Sequence, residues 1–181
     1  MNKKIIIGLI FLASIMFGLI IIDRHETAPI KNEIVLRNDG LLYKSGSKIT
    51  FTGRVIDTVQ RKIMEYDVVN GIKNGEFILY YQNGNVEMYG HIIDNNYTGK
   101  WYYFYPDGQL ESEGYFKDDK AYLMWKWYYK NGSLKEEGIY VNGMKEGKWE
   151  SYNPNGSLKT KIIYRKDEIL NQIDFENTKS S

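Results

Sequence analysis

Few residues in this chain could carry out catalytic or metal-binding chemistry. The 181-residue sequence has no cysteine and only two histidines, His25 and His91. Thiol nucleophiles, cysteine-ligated metals and histidine-rich metal centres are therefore excluded. No serine or aspartate recurs with His91 in the arrangement that nucleophilic catalysis requires, so we predict that His91 is a packing variant.

The acidic candidates also favour structural roles. Asp118 and Asp119 are adjacent at a predicted turn, where paired acids are more often solvated than bound to calcium. Glu111 and Glu113 could form a carboxylate pair across a sugar, but ion pairing across strands is the better interpretation. The phosphate-binding glycine motifs are absent. We predict no enzymatic activity and no cofactor.

The charge balance disfavours nucleic acid as a partner. There are 24 Lys and Arg against 23 Asp and Glu, a formal net charge of +1. Without Lys3 and Lys4 the balance is 22 against 23, or −1. Binding to phosphates needs a net basic surface, and this chain does not provide one.

Aromatic side chains are the strongest candidates for a binding surface. They make up 15% of the chain, with 16 tyrosines, which is more than one buried face can absorb. Exposed rings suit a protein partner or a glycan that stacks on them. We predict an interaction surface formed by Tyr102, Tyr103, Tyr105, Trp127 and Tyr129.

The elements that position these residues are indicated by an internal repeat of 24 residues. One column of large aromatic residues and one column of glycines recur over four units, at Phe77, Trp101, Trp125 and Trp149 and at Gly84, Gly108, Gly132 and Gly156. We predict that both columns are structural, with the aromatic column in the core. Further glycines at 90, 114 and 138 are expected to make room for a ring on a neighbouring strand.

Each unit has the pattern of a β-hairpin. Turn sequences such as Pro106-Asp107-Gly108 and Asn83-Gly84 separate runs rich in aromatic and β-branched residues. A degenerate first copy is visible at Thr52–Val55. A single hairpin is marginally stable, so stacked hairpins must supply the core. The predicted fold class is all-β, an elongated antiparallel sheet of tandem 24-residue hairpins preceded by one transmembrane helix.

The N-terminal segment predicts a membrane anchor. Residues 5–22 are an uncharged run of 18, about 27 Å long as a helix and longer than the apolar region of a secretory signal. A cleaved signal peptide is the alternative. Lys3 and Lys4 place the N-terminus in the cytoplasm and the repeats outside. The predicted organisation is an anchor at 1–26, a linker at 27–37, repeats at 38–170 and a polar tail at 171–181.

The unit from Gly99-Lys100-Trp101 through Gly108 and Leu110 to Gly114 resembles the MORN repeat variant. Proteins built from this repeat include the YwqK-like antitoxins of bacterial toxin–antitoxin systems. The resemblance covers residues 39–164 and implies a tandem β-repeat scaffold with a protein partner, a toxin in the antitoxin case. Leu123 and Met124 stand before Trp125 in place of a Gly-Lys pair such as Gly99-Lys100, which predicts an altered turn there.

Together these observations predict a non-enzymatic bacterial protein of the cell membrane with a single membrane pass. The repeats are expected to act as a protein-interaction module of antitoxin or immunity type. The alternative is a cell-envelope binder that stacks glycans or lipid headgroups on exposed aromatics.

Overall fold

The computed structural model describes residues 33–175, which form thirteen β-strands. The strands are β1 (Ile34–Leu36), β2 (Leu42–Lys44), β3 (Gly53–Val59), β4 (Lys62–Val69), β5 (Ile72–Tyr80), β6 (Val86–Ile93), β7 (Asn96–Phe104), β8 (Leu110–Lys117), β9 (Lys120–Tyr128), β10 (Leu134–Val141), β11 (Met144–Tyr152), β12 (Leu158–Arg165) and β13 (Glu168–Asp174).

Strands β3 to β13 form one antiparallel sheet in which every strand pairs with its neighbours in sequence. This meander confirms the predicted all-β array of hairpins. Strands β1 and β2 form a separate two-stranded sheet at the N-terminal end. It is tied to the large sheet through backbone bonds from Leu42 N to Gly71 O and from Gly71 N to Phe51 O.

Two kinds of turn alternate along the sheet, and the sequence accounts for both. Within a repeat, the strands are joined by loops with a glycine in the left-handed region, such as Gly84 (φ 86°) and Gly108 (φ 88°). Between repeats, two residues with positive φ form the turn, as at Asp94-Asn95 and Asp118-Asp119. Asparagine and aspartate tolerate this conformation better than other residues with a side chain, which suits the tight hairpins.

The densest core lies at the N-terminal end of the sheet. Its fully buried members are Val55, Val68 and Trp101, and β1, β2 and Phe51 pack against the same cluster. Beyond this end, within residues 33–175, no second layer of strands or helices covers the large sheet. Its two faces are therefore the main surfaces of the protein.

Two strands lie partly or wholly outside the predicted repeat region of residues 38–170. Strand β1 lies in the stretch predicted as a linker, and β13 crosses the predicted start of the polar tail at residue 171. The predicted anchor at residues 1–26 lies outside the described part of the chain. No helix in residues 33–175 has the length and hydrophobicity needed to span a bilayer.

Candidate binding surfaces of the sheet

One face of the sheet, here called the aromatic face, is formed by rings that cover glycines. The indole of Trp125 lies on Gly114, so that a Cβ built on Gly114 would stand 2.1 Å from the ring. Trp149 covers Gly138 in the same way, at 2.1 Å, and Trp101 covers Gly90 at 2.2 Å. This confirms the expectation that these glycines make room for rings. Each indole thereby bridges two consecutive repeats.

The aromatic column Phe77, Trp101, Trp125 and Trp149 is buried throughout. The indole N–H groups also find partners, because Trp125 Nε1 donates to Tyr115 O at 3.0 Å and Trp149 Nε1 donates to Ile139 O at 3.2 Å. A buried indole N–H without an acceptor would destabilise the folded protein. The column therefore builds the repeat and is not available to a partner.

A second column on the same face varies from unit to unit. It consists of Leu79, Tyr103, Trp127 and Ser151. Trp127 is half-buried and stacks on Trp125, with ring centroids 5.7 Å apart. Tyr103 lies 6.1 Å from Trp125, and burial raises its pKa to about 12. Because the fold accepts four different side chains here, the column is not dictated by packing alone.

The opposite face, here called the charged face, carries cross-strand ion pairs. Lys100 Nζ lies 2.8 Å from Glu113, and Lys126 Nζ lies 3.4 Å from Glu137. Tyr128 donates its hydroxyl to Glu113 at 2.9 Å. Burial opposes ionisation of Glu113, but Lys100 and Tyr128 outweigh it and hold the pKa of Glu113 below its ordinary value. The predicted ion pairing is thus present for Glu113.

The five residues of the predicted interaction surface are divided among three places and are all half-buried. Tyr103 and Trp127 lie on the aromatic face. Tyr102 lies on the charged face, stacked on Tyr89 at 6.3 Å with Lys100 Nζ 4.9 Å from its ring centroid. Tyr105 and Tyr129 lie at the turns within repeats. The five therefore do not form one continuous row.

The tyrosines at the turns within repeats donate hydrogen bonds to the backbone of the next repeat. Tyr81 donates its hydroxyl to Phe104 O at 2.7 Å, and the same bond recurs one repeat along from Tyr105 to Tyr128 O and from Tyr129 to Tyr152 O, each at 2.8 Å. Each turn is thereby fastened to the end of a strand in the next repeat. The residue at the next position of this column is Asn153.

The remaining sequence candidates occupy structural positions. Asp119 accepts the backbone N–H of Tyr97 at 2.7 Å, which fastens its turn to the preceding repeat. His91 is exposed, with its ring 6.0 Å from that of Tyr89. Among residues 33–175, no group of three or more metal-ligating side chains could hold a metal ion.

The predicted altered turn near Leu123 is wrong. Leu123 adopts φ 59°, close to the values of Gly99 (φ 68°) and Gly147 (φ 69°) at the equivalent positions. The preceding turn at Asp118-Asp119 also keeps the left-handed geometry of its counterpart at Asp94-Asn95. Strand β9 pairs with a strand on each side, and these hydrogen bonds hold its backbone in place. Leu123 therefore adopts a conformation that normally favours glycine.

Three rings of the aromatic face lie outside the interaction surface that the sequence predicted. Phe116, Tyr140 and Tyr164 interleave with the indoles, and Tyr140 packs edge-on against Trp149 at 5.0 Å. Their 24-residue spacing was the available signal. Their importance depends on ring-to-ring contact across three strands, which spacing alone does not reveal.

Comparison with known protein families agrees with this architecture. Four segments match the MORN repeat variant, at residues 73–94, 97–118, 124–142 and 145–166. Three of them each cover a two-stranded unit except for the first residue of its first strand, and the third in sequence begins directly after Leu123. A search of curated proteins found no match. The matches confirm the predicted repeat, and the chain therefore carries a tandem array of four MORN repeat variant units.

Proposed function

We propose that the protein is a binding module whose aromatic face holds a partner protein. The observation that carries this proposal is the variable column Leu79, Tyr103, Trp127 and Ser151 beside the buried indoles. Positions that build the repeat keep one type of residue, whereas this column changes from unit to unit on a face without a second layer. Aromatic side chains in such a position are typical anchors of protein interfaces.

Trp127 is the central residue of the proposed interface. It contacts Trp125 and Trp149, with centroid distances of 5.7 and 5.6 Å, so its orientation is fixed before a partner arrives. Preorganised aromatic anchors lose little conformational entropy on binding. Repeat scaffolds commonly present such residues on an extended surface.

A photo-crosslinking amino acid at position 103, which belongs to the same column as Trp127, tests the proposal in cells producing the full chain. We expect one specific crosslinked protein at position 103, absent when the label is placed at Asn155, an exposed turn position. The variant Trp127→Ser should release that protein from a tagged chain. Serine is a suitable replacement because Ser151 occupies the equivalent position of the next repeat. Equal crosslinking at both positions would contradict the proposal.

We further propose that residues 5–22 anchor the module in the cell membrane with the repeats outside. The uncharged run of 18 residues and the lysines before it support this topology. Protease treatment of intact cells carrying a C-terminal tag tests it, with spheroplasts where an outer membrane is present. Loss of the tag is expected. A protected tag would place the repeats in the cytoplasm.

The result of the protease test limits which partner is possible. The resemblance to YwqK-like antitoxins supports a toxin or immunity-type partner. A toxin in the cytoplasm could be that partner only if the tag is protected, because the repeats would then also be in the cytoplasm. Envelope glycan is the second candidate, because half-buried rings such as Trp127 and Tyr103 can stack on sugars. Co-sedimentation with purified cell wall, lost in Trp127→Ser, would favour the glycan over the protein.

A further inference from the structure

The last strand of the large sheet, β13, has a neighbour on one side only. It pairs with β12, and its outer edge has no partner strand within residues 33–175. All seven of its residues are exposed, and Ile169, Leu170 and Ile173 keep 46–57% of their surface. Lysine and proline, which commonly keep edge strands from pairing, do not occur in β13. Among the described strands, this edge is therefore open to a further strand.

The hydrogen bonds of β13 show which of its backbone groups point to the outer edge. Phe175 N donates to Lys159 O at 2.8 Å, so the backbone groups of Phe175 point toward β12. Along an antiparallel strand this direction alternates from one residue to the next. The N–H and C=O groups of Ile173 therefore also point toward β12, whereas those of Gln172 and Asp174 point outward.

The register with β12 places the side chains of β13 on the two faces of the sheet. Ile173 lies opposite Lys161 on the charged face. Because side chains alternate along a strand, Phe175 shares that face, and Gln172 and Asp174 lie on the aromatic face. There the Gln172 side-chain amide donates to both carboxylate oxygens of Asp174 at 3.1 Å. The edge thus offers apolar side chains on one face and an amide beside a carboxylate on the other.

We propose that β13 pairs with β13 of a second copy of the chain, antiparallel and centred on Ile173. A twofold axis perpendicular to the sheet brings the two Ile173 side chains together, and on the same face Phe175 lies opposite Asn171 of the second copy. Gln172 and Asp174 of one copy lie opposite Asp174 and Gln172 of the other. Their backbone groups point outward, so each of these pairs exchanges backbone hydrogen bonds, and each amide faces a carboxylate.

The edge is complementary to itself in this register and not in the neighbouring ones. Centring the pair on Asp174 would place two carboxylates against each other, and centring it on Asn171 would place Glu168 against Asp174. Centring it on Gln172 would place Asp174 against Leu170, which is left out of the pairing with β12. The proposed register avoids all three conflicts.

Pairing through a twofold axis is closed, because neither copy keeps a free β13 edge. The product is one continuous sheet in which the aromatic faces of both copies lie on the same side. Two Trp127 side chains would then be presented together. The inference depends on β13 alone and does not rest on the proposed partner-binding function.

Disulfide trapping of the full chain in detergent tests the pairing, because the sequence contains no cysteine. Ile173→Cys places two thiols at the twofold axis, where the opposed Cα atoms stand about 4.5 Å apart, a separation that a disulfide spans. We expect a covalent dimer as the main product of oxidation. Asn171→Cys is the matched control on the same face. Its two copies would stand about 13 Å apart along the strands, so it should form at least tenfold less dimer.

Two further variants test the register and the backbone bonds. Differently tagged Asn171→Cys and Phe175→Cys chains should crosslink to each other, because these positions are opposed. Gln172→Pro removes an N–H that points outward and no bond to β12. Added to Ile173→Cys, it should lower the yield of dimer at least tenfold and leave the urea midpoint unchanged.

The inference is overturned if Asn171→Cys alone dimerises as well as Ile173→Cys, or if the mixed Asn171→Cys and Phe175→Cys chains fail to crosslink. It is also overturned if Ile173→Cys crosslinks to Ile56→Cys on β3, the other end strand, in preference to itself, because the copies would then associate head to tail. The mixed pair decides independently of the proline variant. None of these outcomes bears on whether Trp127 contacts another protein.

Discussion

At the scale of the residue, the repeat depends on a pairing between glycine and tryptophan. Gly114 lies opposite Trp101 of its own repeat and beneath the indole of Trp125 from the next. Any larger residue would have to displace an indole that is buried on its other side. The same relation holds at Gly90 and Gly138, so two columns of the sequence are explained by one contact.

Substitution of Gly114 by alanine tests this contact. The new methyl group would overlap the Trp125 ring, and overpacking of this kind costs about 1–3 kcal/mol of unfolding free energy. Urea unfolding of the purified protein measures the loss. In the background of Trp125→Ala the same substitution should cost much less. An unchanged cost in that background would mean that the strain lies in the backbone.

Leu123 allows the opposite prediction, that a substitution stabilises the protein. Leu123→Gly removes the left-handed strain and should raise the free energy of unfolding by about 1 kcal/mol. Leu123→Ala keeps the strain and should give no such gain. Urea unfolding of the two variants side by side provides the measurement. If alanine stabilised as much as glycine, exposure of leucine rather than backbone strain would be the cause.

At the scale of the element, hairpins are held together differently on the two faces. Indoles link repeats on the aromatic face. On the charged face the links are ion pairs between strands, reinforced by hydroxyl groups such as that of Tyr128 on Glu113. Burial raises the pKa of Tyr128, and the hydrogen bond to the Glu113 carboxylate raises it further. The pair is therefore most stable with Glu113 charged and Tyr128 protonated.

This arrangement predicts a pH dependence of stability. The folded-state pKa of Glu113 is lowered, so its contribution is present above its ordinary pKa of 4.5 and is lost as the pH falls through the folded value. Glu113→Gln should therefore destabilise the protein at pH 7, with a difference from the natural chain that shrinks below pH 4.5. Urea unfolding across this range measures the difference.

Glu111→Gln is the control for that experiment. Glu111 lies on the same strand but forms no ion pair within residues 33–175. Its substitution should leave both the stability at neutral pH and the acid transition nearly unchanged. Equal effects of the two variants would show that general surface charge, rather than the bond network around Glu113, sets the pH dependence.

At the scale of the whole molecule, the sheet is a linear array in which each repeat depends on its neighbours. Stability should then approximate a sum over repeats and their interfaces. Excision of residues 120–143, one unit of 24, joins Asp119 to Met144 and brings Trp149 into the position of Trp125 over Gly114. We expect a folded protein with a lower urea midpoint, followed by circular dichroism and fluorescence.

A half-unit excision is the control. Removal of residues 120–131 deletes β9. The turns and strand faces that follow then no longer keep the 24-residue spacing of the units before them. This variant should lose its cooperative unfolding transition. If both excisions unfolded the protein, the repeats would be less independent than a linear array implies.

The sequence revealed the repeat and the all-β architecture because their signals are local and repeated. The turn residues and the alternation of strands recur every 24 positions, and the glycines beneath the indoles were predictable from the same spacing. The sequence alone did not show that Tyr102, Tyr103 and Tyr105 lie in three different places. Adjacent residues of a strand point to opposite faces, and a register shift between Tyr103 and Phe104 further alters the alternation.

By itself, therefore, the sequence determined the unit, its length and the residues that every repeat must keep. Only the tertiary structure decided which rings cover glycines, which hydroxyl groups fasten a turn to the next repeat, and that Leu123 keeps the backbone of a glycine. The physical reason is that hairpin formation depends on local turn and strand preferences. Ring contacts, ion pairs and exposed patches instead depend on how three or more strands stand beside one another.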